Sequence, residues 1–167
     1  FGRDVHVRTS DDDGKTWTDT RLVRKEGRGT STIGPDKVVL VNPDFVELQD
    51  GRILLAYQWR YEKGYGDIPN QHKNCGVEIM FSKDKGETWS EPKRIFYGRC
   101  WEPAMLQLPS GEIQMYITAD MHTVIIRSLD GGKTWQGKDV CDITDAESVS
   151  RTFDMGGQQW FLSVARD

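Results

Sequence analysis

The chain has 167 residues, of which 37% are hydrophobic and 29% charged, a globular composition of single-domain length. Its 22 basic and 26 acidic residues leave a formal net charge of −4. That balance argues against a nucleic-acid binder that works by neutralising phosphates, and no apolar run approaches the roughly 20 residues of a membrane-spanning helix.

Along the chain, Asp4 to Thr9 alternates polar and apolar residues through Val5 and Val7, as a strand does. The octapeptide Ser10-Asp11-Asp12-Asp13-Gly14-Lys15-Thr16-Trp17 follows, then a short return strand at Leu22-Val23. Residues 24–37 are charged and contain Gly, which predicts a loop. Phe45 to Leu48 is a strand, Asp50-Gly51 gives a hairpin turn, and Arg52 to Tyr61 is a second strand. Residues 62–74 contain Gly64, Gly66, Pro69 and Asn70 and predict a long exposed loop. Val77 to Phe81 is a third strand. The octapeptide then recurs as Ser82-Lys83-Asp84-Lys85-Gly86-Glu87-Thr88-Trp89, and Arg94 to Tyr97 is a fourth strand.

The order then repeats. Ala104 to Leu108 and Ile113 to Thr118 flank the turn Pro109-Ser110-Gly111. Thr123 to Arg127 leads into Ser128-Leu129-Asp130-Gly131-Gly132-Lys133-Thr134-Trp135, with a weaker fourth strand near Val140 to Ile143. Val149 to Met155 and Gln159 to Val164 open a further hairpin around Gly156-Gly157. No stretch has helical periodicity.

Three copies of Ser-x-Asp-x-Gly-x-Thr-Trp, spaced 72 and 46 residues apart, mean that one supersecondary unit recurs. The unit is four antiparallel strands with the octapeptide between the third and fourth. Within the octapeptide, Ser and Asp side chains can hold a turn by accepting backbone N–H groups. Gly supplies the backbone angle the turn needs. Trp returns to the fold as a large apolar side chain. The octapeptide is therefore a structural connection. It lacks the Asp-x-Asp-x-Asp-Gly calcium pattern with its closing Glu.

This organisation predicts an all-β fold, a radial β-propeller. Residues 1–23 would be the end of one blade, 43–97 a blade, 101–143 a blade and 147–167 the start of another. That is about three blades, short of the usual four to eight, so the remaining blades are expected outside this chain. The uneven spacing places insertions at 24–37 and 62–74, and insertions in repeat folds commonly build the functional face.

Cys75, Cys100 and Cys141 fit no zinc or redox spacing. They read as ordinary buried thiols, with a Cys75–Cys100 bridge open. His6, His72 and His122 show no metal-ligand spacing, so no metal and no cofactor is expected.

The octapeptide resembles the Asp-box of the sialidase (neuraminidase) superfamily. So do the Asp-Gly-Arg hairpin of Asp50-Gly51-Arg52 and the segment Trp101-Glu102-Pro103-Ala104-Met105-Leu106-Gln107-Leu108-Pro109-Ser110-Gly111. The resemblance implies a six-bladed propeller with a site on its axis, within the usual blade range. It also implies an arginine triad, an Asp acid and a Tyr–Glu nucleophile pair. The arginine-Ile-Pro segment has no counterpart here, since Phe1-Gly2-Arg3 is not followed by Ile-Pro.

The inner rim remains. Glu102, at the start of an inner strand, is the leading candidate for a catalytic carboxylate, as general base or to activate a nucleophile; the alternative is a solvated strand-end residue before Pro. Glu147 and Arg151 stand at the corresponding start of the last unit, and Arg151 could grip a substrate carboxylate through two bonds. Asp44, after Asn42-Pro43, either is catalytic or caps its strand. Trp59 and Trp101 either offer a sugar a stacking face or pack between blades. Arg60 and Arg99 are candidate ligand contacts, and Arg99 could instead hold Glu102 ionised. His122 is a further rim candidate.

The implied activity is that of an exo-acting glycoside hydrolase on terminal sialic acid or a related sugar. Its partner would be a glycan, and it would be secreted or periplasmic. An exo-arabinanase-like hydrolase is an alternative, as is a non-catalytic propeller that binds glycan or protein.

Overall fold

A computed structural model describes residues 3–119, 122–139, 151–155 and 158–162, with backbone alone at 122, at 138–139 and in the last two stretches. Among the described residues, thirteen strands form four antiparallel sheets. β1 (Val5–Val7) pairs with β2 (Arg21–Arg24). A five-stranded sheet has the order β3 (Gly27–Ser31), β4 (Gly34–Glu47), β5 (Ile53–Tyr61), β6 (Cys75–Ser82), β7 (Lys93–Tyr97). A four-stranded sheet has β8 (Trp101–Gln107), β9 (Ile113–Ala119), β10 (His122–Ser128) and β11 (Gln136–Asp139). β12 (Arg151–Met155) and β13 (Gln158–Leu162) make a hairpin.

One sequence expectation needs correction. Residues 24–37 are not a loop: most of them belong to the end of β2, to β3 and to the first part of β4, with Gly27 paired to Val38 and Ser31 to Gly34. β3 is an edge strand with only Ser31 buried, so it needs no apolar alternation to reveal it. The fourth strand of the later unit is Gln136–Asp139, directly after Trp135; Val140 to Ile143 lies outside the described residues. Its polar sequence hid it, since an outer edge strand gains little from apolar side chains.

β5 shows how the sheets stack. Leu54 and Ala56 point into one core, and Leu55, Tyr57 and Trp59 into another, as the two-residue period of a strand requires. The first core joins the five-stranded sheet to the four-stranded one through Val77, Ile79, Ile113, Met115, Ile117, Val124 and Ile126. The second joins it to β1 through Val5, Leu40 and Met80. Of the strands on the two large sheets, β4 and β8 approach most closely across the boundary. Side-chain hydrogen bonds span that boundary. Gln49 donates its backbone N–H to the Gln107 side-chain oxygen at 2.7 Å and its side-chain amide to the Leu108 carbonyl at 2.9 Å. The Asp44 carboxylate accepts the Met105 N–H at 2.8 Å. Buried Gln58 donates to the Cys100 carbonyl. Sheets that converge on one strand each are arranged as blades, with β8 and the Asp44–Glu47 part of β4 innermost and β3 covering the first part of β4.

Each octapeptide closes on itself. Ser10 Oγ accepts the Gly14 N–H at 2.8 Å and donates to Asp12 at 2.8 Å. Asp12 accepts the Thr16 N–H at 2.8 Å and its hydroxyl at 2.6 Å, and Trp17 Nε1 donates to the Gly14 carbonyl at 3.0 Å. The bonds recur at Ser82, Asp84, Thr88 and Trp89, and at Ser128, Asp130, Thr134 and Trp135. The turns also lock onto the preceding sheet. Gly132, at φ +89°, leaves a Cβ only 2.5 Å from the Phe81 ring, and Arg52 donates to the Gly131 carbonyl at 3.1 Å.

Candidate functional site

The strand registers put the octapeptides at one end of the sheets, because Ile53 pairs with Ser82, next to the turn. The other end carries the β5–β6 connection and the entry to β8, because Arg60 pairs with Cys75 and Gly76 with Tyr97. Arg60, Arg99, Trp101, Glu102 and His122 stand there.

Both inner strands carry the same kink. β4 shifts register between Val41 and Asp44, around Asn42-Pro43, and β8 between Trp101 and Ala104, around Glu102-Pro103. The residue before each Pro has positive φ: +52° at Asn42 and +46° at Glu102. Asn visits the left-handed region readily. Glu does so at a cost of about 1–3 kcal/mol, and a following Pro disfavours it further. The fold thus places an exposed carboxylate at an uncomfortable position on the innermost strand, where its sister strand uses the residue suited to it.

Beside Glu102 lies a cationic–aromatic cluster. The Arg99 guanidinium sits 4.8 Å from the centre of the Trp101 ring and 5.4 Å from that of Tyr65. Its Nε donates to the Tyr65 hydroxyl at 3.4 Å. Arg60 covers Tyr65 at 4.5 Å, and the Tyr65 and Trp101 rings meet edge-on at 6.4 Å. Sequence reasoning singled out Arg60, Arg99, Trp101 and Glu102; Tyr65 escaped it. The signal was present, since Tyr65 lies inside the 62–74 insertion between two glycines, but nothing local distinguished it from an exposed loop aromatic.

The insertion is also more ordered than its composition suggests. Two single 3₁₀ turns, Gly64–Gly66 and Ile68–Asn70, and a one-turn helix, Gln71–Asn74, fold it back on the β3–β4 hairpin. The Asp36 carboxylate accepts the N–H groups of Lys37, Lys63 and Gly64, at 2.7, 3.1 and 2.8 Å. Burial pushes Asp36 up, but these donors outweigh it and hold it below its usual value. Asn74, fully buried, accepts from the Thr32 N–H at 3.1 Å and donates to the Gly64 carbonyl at 2.9 Å. Thr32 also donates to Asp67. The two insertions are one structural unit, and it presents Tyr65.

The remaining candidates divide. Trp59 is not a stacking face: it is 2% exposed, edge-on to Tyr61 at 5.4 Å, with the Arg94 guanidinium over its ring at 3.4 Å. The hydrophobic period of β5 turns it inward. Asp44 is occupied with the Met105 amide and serves as a bridge between inner strands. His122 begins β10, opposite Ala119, and Arg151 begins β12, opposite Leu162. Glu147 and Cys141 lie outside the described residues. Cys75 and Cys100 are buried thiols, and the Cys75 thiol donates to the Gln71 carbonyl at 3.3 Å. Among the described residues no group of three His, Cys, Asp or Glu is placed to hold a metal, and no helix is long and apolar enough to cross a membrane.

An all-β array of blades with self-closing octapeptide turns is a sialidase-like β-propeller fold. The sequence profile of the BNR repeat-like domain matches residues 2–166, and the chain belongs to that family. The anhydrosialidase of Macrobdella decora is 25% identical over 142 residues, covering 79% of this chain and 16% of that protein. The NanB sialidase of Streptococcus pneumoniae, as its K499G mutant, superimposes with a TM-score of 0.63 at 12% identity, over 81% of this chain and 39% of that one. The intramolecular trans-sialidase of Ruminococcus gnavus, in complex with oseltamivir carboxylate, gives 0.55 at 21% identity, over 82% and 26%. The chain therefore spans well under half of the length of these relatives.

Proposed function

We propose that the protein is an exo-acting glycoside hydrolase that cleaves terminal sialic acid or a related terminal sugar. It would be secreted or periplasmic. This chain supplies one part of the inner rim, and further blades supply the rest. The observation that carries the reading is Glu102: an exposed carboxylate in the left-handed region, ahead of a Pro, on the innermost strand. Backbone strain at such a position is kept where a side chain must be aimed. Here the side chain is an acid–base group, able to take or give the proton of an attacking or leaving oxygen. Trp101 is the candidate sugar contact beside it, with Arg99, Tyr65 and Arg60 farther out. Glu147 and Arg151, at the start of the last unit in sequence, and His122 are the further candidates of this reading.

The test is an assay of the full-length protein on aryl glycosides of sialic acid, arabinose and neutral hexoses, with Glu102→Gln alongside. Loss of an acid–base group costs about 10²–10⁴-fold in turnover. The expected result is turnover of one substrate, reduced by that factor in the variant with KM little changed. Equal turnover by the variant would remove Glu102 from catalysis. Glycan binding without turnover would turn the reading into a non-catalytic propeller, and cleavage of the arabinoside alone into an arabinanase-like enzyme.

A further inference from the structure

The insertion unit brings basic side chains to the rim beside Glu102. The chain has a net charge of −4. Around Tyr65, however, the basic groups are Arg60, Lys63, Lys73 and Arg99, and Lys63 and Lys73 are exposed. The acidic groups of the same unit are spoken for. Asp36 is 7% exposed and holds three backbone N–H groups. Asp67 accepts from Thr32 and from Asn70 at 3.1 Å. Glu62 pairs with Arg3 at 3.3 Å. With these carboxylates engaged elsewhere, the cationic groups gathered at the rim over the β5–β6 connection are the guanidiniums of Arg60 and Arg99, both held against Tyr65.

Its place in the blade gives its role. Glu102 stands on β8, the strand that meets β4 across the sheet boundary, and the β5–β6 connection lies one strand beyond β4. From Glu102 the contacts run through Trp101 and Arg99 to Tyr65 and Arg60. Tyr65 holds the two guanidiniums against its ring. It is itself fixed by Gly64, where an added Cβ would lie 2.6 Å from Ser31 Cβ. A planar donor that is already oriented loses little entropy on binding an oxyanion.

We propose that the fused insertions form an outer subsite for an anionic saccharide unit on the leaving-group side of the scissile bond. Arg60 and Arg99 are the contacts, and Tyr65 is the positioning residue that orients them. This rests on the hydrolase reading for its kinetic form but not for its binding form. The anion is a sugar carboxylate or a sugar sulfate, and both present the oxygen pair that a guanidinium fork takes.

The experiment uses the full-length protein and matched glycans with the same terminal sugar. The penultimate unit is neutral, carboxylated or sulfated. One charge-assisted contact corresponds to about tenfold or more in affinity. Wild type is expected to favour one anionic glycan over the neutral one by about tenfold in kcat/KM, through KM. The carboxylated and sulfated arms identify which. Arg60→Ala and Tyr65→Ala bring the ratio to within about twofold, Tyr65→Phe keeps most of it, and Lys15→Ala, a charge removed at the opposite end of the sheets, leaves it intact. No preference in wild type overturns the proposal, and so does a preference that survives both alanine variants. If wild type turns over none of the glycans, the hydrolase reading fails separately, and titration by tryptophan fluorescence decides the subsite. Anionic glycan binding that is lost in Arg60→Ala supports it; absence of anionic glycan binding in wild type overturns it.

Discussion

The two ends of the sheets are built on opposite plans. At the octapeptide end, three turns repeat the same bonds with almost the same lengths. Each satisfies its own polar groups within eight residues, and Gly132 and Arg52 show how tightly a turn docks on the sheet before it. At the insertion end nothing repeats. The contacts of Asp36, Thr32 and Asn74 join segments about 30 to 40 residues apart, and each occurs once. Only the Pro kink is shared by both inner strands there, and even that carries Asn in one and Glu in the other. Repetition marks the end that holds the blades together. Departure from repetition marks the end where chemistry can differ from blade to blade.

Substitutions can break this contrast. Gly132→Val should have the largest effect. It places a branched side chain at φ +89° against Phe81, so about 3 kcal/mol or more of stability is lost, read from the denaturation midpoint. Ser82→Ala and Ser128→Ala come next. Each strands a buried Gly N–H, at Gly86 or Gly132, for about 1–2 kcal/mol. Nearly equal losses would show that the two turns are equivalent, and a difference beyond about 1 kcal/mol would break the equivalence.

Glu102→Asn works in the other direction. It should gain about 0.5–1 kcal/mol while removing activity, because Asn tolerates the left-handed conformation that Asn42 already adopts in the sister strand. A destabilised Glu102→Asn variant would mean that the carboxylate supports the fold.

The smallest effect is in acid. The Thr16 and Thr88 hydroxyls, with their own amides and the neighbouring Ser, hold Asp12 and Asp84 at about 2, from the usual 3.8. A carboxylate lowered on folding contributes stability that is complete above its unfolded value and lost as pH falls toward the folded one. Stability should therefore decline between about pH 4 and about pH 2. Asp84→Asn should flatten that decline, as a pH series of melting curves would show. The effect is modest because these carboxylates face water.

Much of this architecture is written in short windows. The octapeptide needs only its own eight residues to close, so its sequence predicts its structure. An apolar central strand such as β5 is equally legible, because burial on both faces demands a nearly continuous run of large residues. Edge strands were not legible: Gly27–Ser31 and Gln136–Asp139 read as loop or went unseen because their pairing is by backbone alone. Trp59 and Trp101 show the same limit in the site. Both are tryptophans at strand ends, and only the direction of the strand pleat decides that one is core and the other is rim.

The sequence by itself determined the repeated unit, the turns, the resemblance to a sialidase-type propeller and the carboxylate at Glu102. Those features depend on residues within a few positions of one another. Tertiary structure decided the rest. It brought Tyr65 to Arg99 across 34 positions, Asp36 to Gly64 across 28, and Asp44 to Met105 across 61. No local pattern encodes such meetings, because a polar side chain in an insertion reads the same whether it faces water or a distant backbone amide. Only the packing of one blade on the next selects between them.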